Sequence, residues 1–419
     1  MIEKIKIAVY KLLKKSEKWT KTDMIYLAKG GFWLTLGQGI SSLSSFLLAI
    51  AFANLLPKET YGTYKYIMSI VSLLAIPTLA GMNTAIIQAV ARGYEGSVIP
   101  AFKTKVKWGL LGGLASLILA GYYYFQGNNV LAIAFLITAV FVPFMDSLLI
   151  YDSYLNGKKD FKALSNYTII TRIVSMIAMV GTIFLTKNIF LIIASYFITN
   201  TLLRIIFFKI TFLKNKLNKE SDPDTISYGK HLSLMGILNI VSFYADKLLI
   251  FHYLGATELA IYSIAIAPIE QIKGLLKNIN ILALPKFSTA NTKNLIMNLK
   301  PKILKMIFIL ITISICYILF SPIMYKLFFP QYLGSIFYSQ LFSISIIFTG
   351  PLLLILSVFQ SKKNKKILYQ YNLIRPMLRI ILLFVFIHYF AITGIIIAIL
   401  FSYFFEFLFL STRKYSRLF

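Results

Sequence analysis

The chain reads as an all-α polytopic membrane protein of about twelve transmembrane helices in two sets of six. Three observations carry that reading. Of its 419 residues, 58% are hydrophobic, and mean hydropathy is +0.75, far outside the balance of a soluble domain. The apolar residues come in runs of about 20, the length that crosses a hydrocarbon core about 30 Å thick at about 1.5 Å per residue. Lys+Arg number 43 against 15 Asp+Glu, a net charge of +28, and the cations crowd into alternate gaps between the runs, the distribution the positive-inside rule expects.

Residues 1–27 are too basic and too interrupted for a cleavable signal: Lys4, Lys6, Lys11, Lys14, Lys15, Lys18 and Lys21 recur through them. Ile5, Val9, Leu12 and Leu13 share a helical face, which suits a basic helix on an anionic leaflet. Twelve spans follow, at about 31–55, 63–81, 107–125, 129–151, 166–186, 188–209, 232–254, 258–278, 303–325, 335–359, 371–390 and 393–411. Every even-numbered gap is basic, holding for example Lys103, Lys105 and Lys107, then Lys158, Lys159 and Lys162. Odd-numbered gaps carry only Lys58, Lys187 and Lys326. The alternation places the N- and C-termini in the cytoplasm. Tyr122, Tyr123, Tyr124, Phe125, Phe328, Phe329 and Tyr332 then form an interfacial aromatic belt at the outer ends.

A polar stretch, NKLNKESDPDT, divides the spans into two sets of six. The expected organisation is an N-lobe over 28–210, a cytoplasmic linker over 211–230 and a C-lobe over 231–419. The halves are related. Leu56, Gly62 and Tyr64 after span 1 share their spacing with Leu254, Ala260 and Tyr262 after span 7, and spans 4 and 10 each hold a proline, Pro143 and Pro351. Both halves begin on the same side and contain an even number of spans, so the repeat is parallel, with its axis along the membrane normal.

Several function classes drop out. The sequence holds no GxGxxG, Walker A, HExxH or GxSxG pattern. Its three histidines share no metal-ligand spacing, and its single Cys316 can form no internal disulfide. The outer gaps are too short for a large catalytic loop, so no enzyme, metal or cofactor is expected. A soluble protein this basic would suggest nucleic acid; here the cations mark loops, and no nucleic-acid partner is expected.

The informative residues are charges inside spans. Asp246 and Lys247 lie in the middle of span 7, with Asp246 roughly 14 Å from its outer end by helical rise. A carboxylate at that depth costs several kcal/mol unless it meets a partner or water. Glu270 and Lys273 stand one turn apart on span 8 and can pair. Arg375 and Arg379 form an i, i+4 stripe on span 11, and Glu406 in span 12 needs a partner, for which Arg379 or Lys273 would serve. Lys65, Arg172 and Arg204 complete the set; the first can snorkel outward and the arginines can act as topology anchors. Cations in a low-dielectric cavity suit an anionic substrate, since Arg forks match phosphate oxygens. The charges can equally neutralise one another to hold the bundle, and a buried carboxylate can bind and release a proton.

The stretch KGGFWLTLGQGISSLSSFLLAIAFANLLPKETYGTYKY resembles the opening of the bacterial polysaccharide (O-antigen, Wzx-type) flippases. YADKLLIFHYLGATELAIYSIA and LALPKFS (Leu282 to Ser288) resemble the opening of that family's second half. The resemblance implies the multidrug/oligosaccharidyl-lipid/polysaccharide exporter fold, two six-helix lobes around a central cavity, in a bacterial cytoplasmic (inner) membrane. It also implies a flippase that turns an undecaprenyl-diphosphate-linked oligosaccharide, a surface polysaccharide repeat unit, from the inner to the outer leaflet by alternating access. Lys65, Arg172, Arg204, Lys247, Lys273 and Arg379 would then line the substrate cavity, and Asp246, Glu270 and Glu406 would be available for ion or proton coupling. Implied partners are the lipid-linked oligosaccharide, anionic membrane lipids, and a polysaccharide polymerase with its chain-length machinery. The rival reading is a cation-coupled small-molecule or multidrug exporter of the same fold.

Overall fold

The computed structural model describes residues 24–276, 292–361 and 365–416. Span 1 is α1 (Met24–Leu55). Span 2 is bent: α2 (Lys58–Leu74) meets α3 (Gly81–Ala91) through a 3-10 turn at Ile76–Thr78, with a 41° change of direction. Pro77 removes a backbone donor there, and Leu79 turns left-handed at φ 60°. Span 3 is α4 (Val98–Phe125). Span 4 breaks after Pro143 into α5 (Asn129–Met145) and α6 (Ile150–Gly157). Spans 5 and 6 are α7 (Phe161–Leu185) and α8 (Ile189–Lys214), spans 7 and 8 are α9 (Thr225–Leu254) and α10 (Ala256–Leu276), and span 9 is α11 (Thr292–Phe328). Span 10 comprises α12 (Ser335–Ser343) and α13 (Ser345–Ser361).

The last helical stretch, Lys365–Ser416, is two spans. Ala391 departs from helical geometry at φ 49°, ψ −129°. Arg375 and Glu406 are 2.6 Å apart, whereas 31 residues of straight helix would separate them by about 46 Å. The chain therefore folds back at Ala391 into α14 (365–390) and α15 (392–416). With the bent second span and this hairpin, the described residues supply twelve crossings of a multi-pass membrane protein.

The expected spans are all present, but most helices overrun them at the lysine-rich face. Span 3 begins at Val98 and not near 107, and span 7 at Thr225 and not 232. Hydropathy marks the hydrocarbon slab, whereas helical hydrogen bonding continues into the basic interface. The overrun brings one correction. Lys105, expected in a loop, is fully buried, donating to Asp146 Oδ2 at 2.8 Å and Asn83 Oδ1 at 2.6 Å. Thr78 donates to the same carboxylate oxygen at 3.0 Å. The bend of span 2 and the break of span 4 are thus pinned to each other. The basic segment at 1–23 and the stretch Leu282 to Ser288 lie outside the described residues.

The parallel repeat is visible in the packing: span 1 lies on span 5 as span 7 lies on the final hairpin, and span 3 on span 4 as span 9 on span 10. The lobes meet chiefly through spans 1, 2, 7 and 8. Helices in lipid gain little from burying apolar surface against each other, so close backbone approach and polar ties do more. At the face away from the lysines, Tyr66 stacks on Phe251 with centroids 3.7 Å apart, and a Cβ on Gly62 would lie 1.7 Å from Ala256 O. Asn54 there donates to Phe328 O at 2.8 Å. At the lysine-rich face, Gly81 N donates to Ser233 Oγ at 3.0 Å, and Met82 fills the space beside Gly229. Below that contact the interlobe linker is strapped to the first lobe. Gly96 N donates to Glu220 O at 2.8 Å, Glu95 N to Asn218 Oδ1 at 3.2 Å and Asp222 N to Ser97 Oγ at 2.9 Å. Arg92–Asp222 and Lys158–Glu95 ion pairs flank these bonds.

Candidate functional site

Span 7 places Asp246 on a buried stripe with Ser242, Ala245 and Ile250, and that stripe opens on a cavity inside the C-lobe. The cavity, about 330 Å³, is enclosed by spans 7, 8, 10, 11 and 12. Its charged lining is Lys247, Lys273, Arg375 and Arg379 against Asp246, Glu270 and Glu406, four cations to three carboxylates. A second cleft of about 420 Å³ shares Phe243, Arg375 and Arg379 with it and adds the polar side chains Asn239, Ser242 and Asn372. Together they form a charged chamber with a polar antechamber.

Each carboxylate has a cation, but the pairings differ in kind. Glu406 is held tightly: Arg375 Nε donates to Oε1 at 2.6 Å, and Tyr371 OH donates to Oε2 at 3.3 Å. Arg379 and Lys273, the partners expected from sequence, do not bond to it; the hairpin fold-back puts Arg375 level with Glu406 instead. Lys273 Nζ donates to Glu270 Oε1 at 3.1 Å, the intrahelical pair expected from the spacing. It also lies 4.0 Å from the centroid of the Phe342 ring, a cation–π contact. The Glu270 side chain remains 37% exposed, and that exposure is to the chamber.

Asp246 is bonded otherwise. Its Oδ1 accepts from its neighbour's backbone N–H at 2.8 Å, and its Oδ2 accepts from Tyr262 OH at 2.6 Å. Lys247 Nζ stands 3.5 Å from Oδ1 and Arg379 Nη2 3.7 Å from Oδ2. Arg379 is within electrostatic reach of all three carboxylates. Its Nε is buried without a hydrogen-bond partner among the described residues, a state that costs free energy unless a ligand relieves it.

The six cations expected to share one cavity divide. Lys247, Lys273 and Arg379 line the chamber with all three expected carboxylates. Lys65, Arg172 and Arg204 do not. Lys65 is half-buried in span 2, 5.2 Å from the Tyr61 ring centroid, within electrostatic reach of Tyr196 and of Tyr244 on span 7. It points to the lobe interface and not outward. Arg204 donates to Met145 O at the break of span 4, and the exposed Arg172 lies with Arg204 near Asp152. Arg375 and Tyr262 were not among the expected site residues. The i, i+4 arginine stripe pointed to the first, and the repeated turn carries the second. At the repeat spacing of 198 residues (Leu56 to Leu254), Asp246, Lys247, Glu270 and Lys273 correspond to Leu48, Ala49, Ser72 and Ala75. The charged chamber therefore belongs to one lobe alone. Among the described residues, no group of His, Cys, Asp and Glu is arranged to hold a metal ion.

The family model described as "Polysaccharide biosynthesis protein" matches residues 27–291. No curated protein matches the chain. Among solved structures, the chain is similar to the lipid II flippase MurJ in an inward closed conformation, with TM-score 0.72 and 17% identity, covering 90% of this chain and 86% of that one. It is similar to a MATE transporter in complex with MaD5, with TM-score 0.65 and 13% identity, covering 93% and 95%. It is also similar to a Pyrococcus furiosus transporter of the MOP superfamily, reported to have a binding pocket of reverse polarity, with TM-score 0.61 and 14% identity, covering 93% and 95%. At these identities the likeness establishes the fold.

Proposed function

The chain belongs to the polysaccharide biosynthesis protein family, and from that premise we propose that it is a flippase for an undecaprenyl-diphosphate-linked oligosaccharide. In this reading it sits in a bacterial cytoplasmic membrane with its lysine-rich face and both termini inside. It carries a surface polysaccharide repeat unit, of the O-antigen or lipopolysaccharide kind, to the outer leaflet by alternating access. The observation that carries the reading is the C-lobe chamber, with its excess cation and the unbonded Nε of Arg379. A diphosphate supplies the acceptors that Arg379 and Lys247 lack, and a guanidinium fork fits phosphoryl oxygens. The sugars would lie in the cleft beside Asn239, Ser242 and Asn372, whose amides and hydroxyl suit a polyol. The lipid tail stays in the bilayer and passes between the lobes. Anionic lipids meet the basic face, and a polymerase with its chain-length machinery takes the product.

The fold is shared with multidrug transporters, so the rival is a cation-coupled exporter using Asp246, Glu270 and Glu406. Against it stands the pairing of every one of those carboxylates with a cation. The deciding experiment is a deletion strain. The flippase reading expects lost surface polysaccharide, accumulation of lipid-linked precursor on the inner leaflet, and no rescue by Lys247→Ala or Arg379→Ala at normal protein level. Normal polysaccharide with raised drug sensitivity would establish the exporter instead.

A further inference from the structure

The chamber brings its own anion to the cations that the proposed substrate needs, and the bonding of Asp246 indicates what that anion does. Both of its oxygens are already satisfied at short range by neutral donors, the Lys247 backbone N–H and the Tyr262 hydroxyl. The two cations stand back at 3.5 and 3.7 Å, beyond the roughly 2.7–2.9 Å of a charge-assisted hydrogen bond. Glu406 shows the contrast, since Arg375 closes on it to 2.6 Å. Asp246 therefore balances charge without capturing the N–H groups. Arg379 keeps a buried, unbonded Nε although the whole residue is 7% exposed, and Lys247 Nζ rests 5.3 and 5.6 Å from the ring centroids of Phe243 and Tyr244.

Resting on the flippase reading, we infer that Asp246 is a resident counter-anion that competes with the substrate's diphosphate for Arg379 and Lys247, and that Tyr262 is the positioning residue that keeps this competition weak. Two unbalanced cations this deep in a membrane bundle would be costly, so the resident carboxylate allows the unloaded protein to keep them. It also sets a threshold. A phosphodiester headgroup must displace a fixed carboxylate of about equal charge and gains little, whereas a diphosphate brings more charge and more acceptors. The chamber thereby discriminates a lipid diphosphate from the single-phosphate headgroups of bulk phospholipid. Tyr262 supports this by occupying Oδ2, which would otherwise turn to Arg379. It is fully buried and belongs to the turn repeated between the lobes.

The test uses the full-length protein in phosphatidylcholine nanodiscs, with inorganic pyrophosphate and dimethyl phosphate, a monoanionic phosphodiester, as probes and calorimetry as the readout. Wild type should prefer pyrophosphate. Asp246→Asn should bind both probes more tightly, by about tenfold or more, the low end of what close charge pairs are worth, with dimethyl phosphate gaining more, so that discrimination falls. Tyr262→Phe, nearly isosteric, should move affinity the opposite way. Opposite shifts distinguish competition from damage, since loss of structure would weaken binding in both variants. Unchanged or weaker binding by a folded Asp246→Asn, or shifts in the same direction, overturns the counter-anion while leaving the flippase reading intact. Undiminished pyrophosphate binding by Arg379→Ala removes the headgroup site itself, and the inference with it.

Discussion

Gly62 gives the sharpest test of how the lobes close. A Cβ there would lie 1.7 Å from Ala256 O and 2.6 Å from Ala256 C, both backbone atoms on the facing lobe. A carbon normally stays about 3.3 Å from a carbonyl oxygen, so Gly62→Ala requires spans 2 and 8 to part by roughly 1.6 Å where the two repeated turns meet. A backbone carbonyl cannot rotate away as a side chain can, and the stacked pair Tyr66–Phe251 leaves no slack nearby. Overpacking of this kind costs about 1–3 kcal/mol. Under the proposed alternating access, and charged only to the closed state, that lowers the closed-to-open ratio about 5- to 150-fold. The assay is a distance distribution between spin labels at Glu59 and Thr257, both accessible at the far face, with Cys316 replaced by Ser. The closed population should fall in Gly62→Ala and fall further in Gly62→Val. Gly39→Ala, at a position with open space around it, should change nothing. An unaltered closed distance in a folded Gly62→Val protein would show that this contact does not hold the lobes together.

Three further outcomes are expected. Arg375→Gln leaves Glu406 buried without its cation, which should destabilise the protein by about 3–5 kcal/mol, with most of the loss restored in the Arg375→Gln/Glu406→Gln double variant; thermal melts of the three proteins decide it, and an unaffected single variant would contradict the tight pair. Ala391→Gly should raise thermal stability by about 1–2 kcal/mol by removing a left-handed Ala at the hairpin tip, while a lower melting temperature would show that the methyl group contributes packing. The linker strap should be insensitive to pH between about 5 and 9. The Asp224 N–H and Arg92 hold the Asp222 carboxyl below its ordinary 3.8, so its contribution is present above that value and lost as pH falls through the lowered one. Hydrogen bonding to Glu95 holds the Lys158 amine above 10.5, so its contribution is lost only at higher pH. Hydrogen exchange at the Gly96 amide, corrected for intrinsic rate, measures the strap, and a loss of protection between pH 5 and 9 would contradict the assignment.

The twelve crossings were legible because lipid imposes one rule on every span, that about 20 residues be apolar, and LMGILNIVSFYADKLLIFHYLG obeys it even around Asp246. Helix ends were not, since nothing in hydropathy distinguishes a helix that stops from one that continues into the interface. Lys105 shows the limit. Its neighbours Lys103 and Lys107 are loop-like in composition, and only the bend of span 2 meeting the break of span 4 makes a buried niche for its ammonium. The charged chamber was visible in its residues but not in their pairing. Asp246, Lys247, Glu270, Lys273, Arg379 and Glu406 declared themselves by their depth, but the assignment of Arg375 to Glu406 depends on where the last hairpin turns, and that is set at the single residue Ala391. Lys65, Arg172 and Arg204 already differed in sequence by lying nearer the ends of their spans, and the structure puts all three in the first lobe, away from the chamber.

The strap and the contact of spans 2 and 7 have one more consequence. That edge of the molecule is sewn from the Tyr66–Phe251 stack at one membrane surface, through Gly81–Ser233, to the Asn218 and Asp222 bonds at the other. The two ends of that seam are held by different chemistry, a ring stack and a close backbone contact at one surface and hydrogen bonds with ion pairs at the other, so opening either surface breaks a different set of contacts.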